Sequence, residues 1–338
     1  MKKLFTLLAF TVSFIMNSQV STHSTSNGGL RSSAIGAWSN AAADYSFASG
    51  RSTTASGYGS TVFGRNSTSS GDYSTAMGYN TNASGVYSTA MGYESTASGH
   101  FSTVMGESTT ASANYSTAMG SYTTASGTAS AAMGSGTIAS GNSSTATGYF
   151  TTASGSRSTA MGRSTTASDY ASTVIGQYNS SGSSATSYTS ADSFSTSAPA
   201  FVIGNGTDSS NKSDAFKVMF NGDTTVSNDL TVSGDVVISS DARLKSNIVS
   251  LGSTLPKLLQ IDGKSYEMKG KQKIGVLAQE IQEVFPELVS EDDNEMLAVN
   301  YQGLVPVLIN ALKEQDKIIK SQEERLTNIE KLIAKLND

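Results

Sequence analysis

The sequence predicts a mainly β, fibrous molecule: a roll of stacked short strands, a β-rich neck, and a small α+β domain that ends in a coiled coil. Three observations carry that expectation. Glycine recurs with a strict period of fourteen residues through the first half, short apolar runs separated by Asn-Gly and Ser-Gly-Asp turns come next, and apolar residues spaced alternately by three and four close the chain.

Composition limits the function classes. Of 338 residues only 14% are charged and 32 are glycine, which describes an extended repeat joined to something smaller rather than a globular enzyme. A formal net charge of -5 and the scarcity of basic clusters argue against nucleic acid as a partner. No pattern calls for a metal or a cofactor. The chain has no cysteine, so an exported form must be stabilised by repetition, packing or oligomerisation.

Export is indicated by residues 1–19, "MKKLFTLLAFTVSFIMNSQ": two lysines, an apolar run from Leu4 to Met16, then small polar residues. This is the layout of a secretory signal peptide, and the run is too short for a permanent membrane span. The residues ahead of the cut do not form a clean small-x-small pair, and the alternative is a buried first helix. The expected location is secreted or at a bacterial cell surface.

The roll is expected over residues 32–176. Gly36, Gly50, Gly64, Gly78, Gly92, Gly106, Gly120, Gly134, Gly148, Gly162 and Gly176 share one phase, and a second series halfway between, running from Gly57, lapses at Ala113 and Asp169. Within "STAMG", Ser74 and Ala76 face one side of a strand and Thr75 and Met77 the other. The Ser/Ala side suits a very narrow interior. The other side sets Met77, Met91, Met105, Met119, Met133 and Met161 in register with Ile35, Phe63 and Ile175, an apolar stripe best read as a subunit interface. A disordered linker would keep this composition but not its phase. Thr pairs such as Thr109-Thr110 and Thr151-Thr152 also allow a flat ice-binding ladder, interrupted at Asn82 and Ile138.

These units resemble the head repeats of trimeric autotransporter adhesins of the YadA type. The resemblance implies a homotrimer of left-handed parallel β-rolls, and a fibre open to a host-surface or extracellular-matrix ligand.

Residues 177–198, mostly Ser and Thr, read as a connector. Residues 199–239 read as the β-rich neck, with Phe201, Val202 and Ile203, then Phe216, Val218 and Phe220, then Leu230, Val232, Val236 and Ile238 as core faces.

A polar cluster, "SSDARLK", follows at the boundary. The motifs "SDARLKSNI" (240–248), "IGVLAQEIQEVFPELV" (274–289) and "NYQGLVPVLINALKEQ" (300–315) resemble, in order, the C-terminal intramolecular chaperone of phage tail spikes and endosialidases, a self-cleaving serine peptidase family. This resemblance assigns residues 240–303 to a chaperone and peptidase domain. It implies Ser240 as nucleophile, Lys245 as its partner, and a cut between Ser239 and Ser240. The chemistry is sound, because a serine hydroxyl needs a base and the only histidines, His23 and His100, are remote in sequence. Lysine serves if burial or a cationic neighbour lowers its pKa, and Arg243 is such a neighbour. Asp241 and Asn247 are expected to hold geometry. The alternative is a solvated polar turn capped by Ser239 or Ser240.

Residues 304–338 are expected to form the coiled coil. Its seam is Val305, Leu308, Leu312, Gln315, Ile319, Gln322, Leu326, Ile329, Ile333 and Leu336, widened by Ile318 and Leu332, which favours more than two strands. An amphipathic helix folded back on its own domain is the alternative. The functional expectation is an exported homotrimeric surface fibre whose chaperone directs assembly and is then released by a Ser-Lys dyad acting once in cis. A phage-type tail fibre or receptor-binding spike is the alternative. Scattered Asp44, Asp72, Glu94, Glu107 and Asp169 argue against a glycan-cleaving groove, and no transmembrane anchor is seen.

Overall fold

The computed structural model describes residues 25–186, 191–291 and 295–337. The expected signal peptide lies outside the described residues, as do residues 187–190 of the connector. Two compact units divide the chain, 1–233 and 234–338.

The first unit is a parallel β-solenoid. Each turn holds one five-residue strand, such as Thr75–Tyr79, and one two-residue strand, such as Asn82–Ala83. Short strands stack into a sheet of eleven and long ones into a second sheet that continues to fourteen. The register advances by one period per turn, pairing Met91 with Met77 and with Met105, so like residues stack on like at about 4.8 Å.

The interior is built as the alternation requires. Ala76, Ala83, Ala90 and Ala97 are wholly buried, joined by Ser74, Thr81 and the occasional Val62, Val104 or Val174. The long-strand glycines have a separate physical cause, the close approach of the next rung's backbone. Gly78 sits at φ +133°, and a Cβ there would stand 2.0 Å from the carbonyl oxygen of Gly92. The Thr pairs are split across the wall, with Thr109 and Thr151 fully buried and Thr110 and Thr152 facing out. The flat two-column array of the ice-binding reading is therefore not formed. The methionine stripe lies on the outer face, where Met77 and Met105 keep 38% of their surface accessible.

Aromatic residues add a ladder that sequence reading missed. Tyr73, Tyr87, Phe101 and Tyr115 share one corner of successive turns, each at φ between +57° and +60°, with ring centroids 5.0–5.2 Å apart. Stacking contributes about 0.5–1.5 kcal/mol per pair, comparable with the ~1–2 kcal/mol cost of left-handed backbone at a side-chain-bearing residue. Tyrosines recurring every fourteen residues were the available signal.

The solenoid does not stop where its glycine phase is lost. Strand β1 (Pro199–Asn205) pairs in parallel with Thr173–Gln177, setting Ile203 beside Ile175 and Gly204 beside Gly176. β1 is thus a further rung of the solenoid as well as the first strand of the hairpins expected from residue 199. Between the two rungs the Asn179 side chain takes the place of a strand. Its Oδ1 accepts from the Thr166 N–H at 2.8 Å, and its Nδ2 donates to the Thr166 carbonyl at 2.9 Å. The buried Asp169, a lapse in the second glycine series, accepts from Thr186 N at 2.8 Å and Thr186 Oγ1 at 3.1 Å. That lapse anchors the excursion. Antiparallel β2 (Asp214–Met219) and β3 (Thr224–Val226) follow.

From Asn221 through Ser253 every residue is exposed. The expected core faces Leu230, Val232, Val236 and Ile238 are therefore left exposed, with no second layer over them among the described residues.

The second unit is a small mixed domain with a long helix. Its elements are α1 (Leu255–Leu258), the hairpin β4 (Lys264–Met268) and β5 (Lys271–Gly275), α2 (Ala278–Val284), the hairpin β6 (Val289–Glu291) and β7 (Leu297–Val299), and α3 (Leu304–Asn337). Ile281, Phe285 and Val307 form its buried centre, with Leu258, Ile261, Val276 and Leu288 packed around them. The start of α3 has two working faces. Val307 and Ala311 are buried against the domain, while the seam residues Leu308, Leu312 and Leu326 stay exposed. The alternative of a helix folded back on its domain holds for those first turns alone.

Candidate active site

Ser240 and Lys245 are brought together by one short turn. Asp241 starts it: its carboxylate accepts from the Arg243 N–H at 2.8 Å and so caps the 3-10 turn Ala242–Leu244. The Lys245 N–H closes the turn on the Ala242 carbonyl at 3.1 Å. Reversal over these residues sets Lys245 Nζ 2.7 Å from Ser240 Oγ. No distant residue is needed for this contact.

Arg243 folds back onto Asp241. Its Nε lies 3.0 Å from Oδ1 and its Nη2 lies 2.7 Å from Oδ2. The Arg243 guanidinium, helped by the Arg243 N–H, holds the Asp241 carboxyl below the usual carboxylate range, and Asp241 raises Arg243 in return. Because the pair is close to neutral as a unit, Arg243 offers Lys245 much less repulsion than a free cation would. Asn247 takes φ +53°, a left-handed bend that asparagine tolerates better than most residues, where the chain leaves the turn.

In a single chain the site is open. Ser239, Ser240 and Lys245 are all exposed. So are the large apolar side chains on either side, Val236, Val237, Ile238, Leu244, Ile248 and Val249, at 60% or more of their surface. When protonated, Lys245 donates to Ser240 Oγ. After losing that proton it can accept one from the hydroxyl across the same 2.7 Å contact. The arrangement can thus activate an alcohol oxygen next to the Ser239–Ser240 peptide bond.

Sequence reading missed a second polar cluster nearby in the chain. Glu314 on α3 accepts from Ser253 Oγ at 2.7 Å, from Thr254 N at 2.6 Å and from Leu255 N at 3.4 Å, which holds its carboxyl below the ordinary range. Thr254 is buried and also donates from Oγ1 to the Val307 carbonyl at 3.0 Å. Partners sixty residues apart leave no local spacing to detect.

Among the described residues no helix is long and apolar enough to cross a membrane. The family model for the YadA head domain repeat, which spans two copies of the unit, matches residues 28–53, 55–81, 69–95, 83–106, 97–123, 125–151 and 153–179. The family model described as the chaperone of endosialidase, a peptidase family, matches residues 240–290. No curated protein matches the chain. The two matches support an adhesin- or fibre-like protein that carries an intramolecular chaperone.

Proposed function

We propose that this chain is an exported homotrimeric surface fibre, matured by a C-terminal chaperone that cuts itself free between Ser239 and Ser240. The observation that carries the reading is the 2.7 Å contact between Lys245 Nζ and Ser240 Oγ, at the residue where the chaperone match begins. Trimerisation is supported by two unpartnered apolar stripes, the methionines of the solenoid and the seam of α3. Fixing three chains in register through α3 would spare a parallel, non-local fibre a three-body search.

In the proposed reaction Lys245 takes the hydroxyl proton as Ser240 Oγ bonds to the Ser239 carbonyl carbon. The peptide C–N bond then breaks, the proton returns to the Ser240 nitrogen, and an ester links Ser239 to Ser240 Oγ. Water hydrolyses the ester to a Ser239 carboxylate and the Ser240 alcohol. Closure of Val236, Val237, Leu244 and Ile248 against neighbouring protomers would strip water from Lys245 and favour its neutral form, which makes cutting follow assembly. Once released from its template, the fibre would be kinetically trapped.

The carboxylates make the spike-enzyme alternative weaker. Asp44 and Asp72 each accept a backbone N–H from a neighbouring turn, from Leu30 and Tyr58, and Asp169 anchors the excursion.

Intact mass and N-terminal sequencing of the expressed protein test the reading. A small fragment starting at Ser240 is expected, absent from Ser240→Ala and from Lys245→Ala. The double variant should be no worse than either alone, because the two residues act as one unit. A different start, or normal cutting in Lys245→Ala, would remove the dyad.

A further inference from the structure

We infer that Glu314 is a positioning residue for the dyad, the point through which α3 fixes the chain that leaves Lys245. The inference rests on the proposed self-cleavage. After Lys245 the chain runs through Ser246–Ser253 without a helix or strand and without one buried residue. Left-handed bends at Asn247 and Gly252 lie near its two ends, and Ile248, Val249 and Leu251 point into solvent. Thr254, 2% exposed, is the first buried residue after the dyad.

The N–H and the hydroxyl of Thr254 are both held by α3, while its carbonyl accepts from the Leu258 N–H of α1 at 2.9 Å. The Val307 carbonyl takes its hydroxyl at 3.0 Å, and Glu314 takes its N–H at 2.6 Å while its other oxygen takes the Ser253 hydroxyl at 2.7 Å. Val307, Ala311 and Glu314 follow one another at helical spacing, so one stripe of α3 grips the domain. The adjoining stripe, Leu308, Leu312 and Gln315, belongs to the exposed seam. A helix located by its seam therefore also locates residues 253–255, leaving a seven-residue tether to the dyad. Without the grip, Lys245 and Ser240 keep their local turn but lose their position relative to whatever covers them.

Cell-free synthesis of the full-length chain tests this, with trimer followed on native gels and cleavage by intact mass over time. Glu314→Ala should assemble as wild type does and cut at least tenfold more slowly. Glu314→Gln, which retains one acceptor oxygen and the same shape, should fall between the two. Thr254→Val added to Glu314→Ala should slow cutting by less than the product of the single effects, because both act through one grip. Wild-type cutting in a trimeric Glu314→Ala overturns the inference alone. Loss of trimer in both Glu314 variants also overturns it, since Glu314 would then be an assembly residue. A wild type that stays whole removes the self-cleavage reading and takes this inference with it.

Discussion

The solenoid and the C-terminal unit solve the problem of burial in opposite ways. Every turn of the solenoid closes on its own neighbours: Ala83, Ala97, Ala111 and Ala125 are wholly buried by the same chain, and the backbone pairs rung to rung. The C-terminal unit centres on Ile281, Phe285 and Val307, while Ile274, Val249, Leu259 and Leu336 stand at least three-quarters exposed. One region is complete within a protomer. The other leaves large apolar side chains uncovered in the single chain, as the proposed role in joining chains requires.

The comparison is broken most severely by Gly92→Val. The Cβ would meet the Gly106 carbonyl oxygen at 2.0 Å at φ +115°, so the damage is to backbone rather than to a side chain able to move. Far-ultraviolet circular dichroism and soluble yield should both collapse. A soluble β-rich protein of wild-type melting temperature would show that the turns tolerate far more slack than their geometry indicates.

Leu312→Pro with Leu326→Pro attacks the other region. Each proline costs about 3 kcal/mol or more inside a helix, and both seam positions are lost. Trimeric fibre should fail to form when these changes are present from synthesis, as read by light scattering. Equal yields of trimer would make α3 a passenger.

Met91→Asp with Met105→Asp separates the two meanings of completeness. The changes lie on the outer face, so each turn should still close, with β content by circular dichroism close to wild type. Charge in a desolvated interface costs ~3–5 kcal/mol when unpaired, so the solenoid of a chain ending at Ser239 should become monomeric. A persistent trimer would move the interface elsewhere.

The smallest effect is expected from Asp241→Asn, which keeps a cap acceptor and loses the ion pair. Cutting should slow severalfold without stopping. The folded pKa of Asp241 is depressed, so the ion pair contributes above the unfolded carboxylate value and fades as pH falls through the folded one. In acid, wild type and Asp241→Asn should therefore converge in turn geometry, as followed by NMR of the Arg243 amide.

What could be read from the sequence is what repeats or lies close along the chain. The inward Ala76 and outward Met77, the glycine phase and the α3 seam come from local spacing, whereas Ser240 and Lys245 were singled out by the family resemblance of their motif. Contacts without a period were invisible. Strand β1 regains the rung register only after an excursion held by Asn179 and Asp169, so loss of phase looked like the end of the solenoid. Arg243 was expected to act on Lys245, yet a carboxylate two residues away binds it first. Thr254 and Glu314 meet across sixty residues, a distance at which residue type alone specifies no partner.

The equivalence of successive rungs has a consequence for how such a gene can change. Because Gly78 meets Gly92 as Gly92 meets Gly106, removing or duplicating one of these units keeps glycine against glycine and methionine against methionine. Misaligned recombination between tandem copies therefore gives foldable offspring whenever it exchanges whole units, and shifts reach by ~4.8 Å each time. Loss of a single codon inside a unit throws every later side chain out of its column. Length in this molecule is inherited in steps, like notches on a ruler.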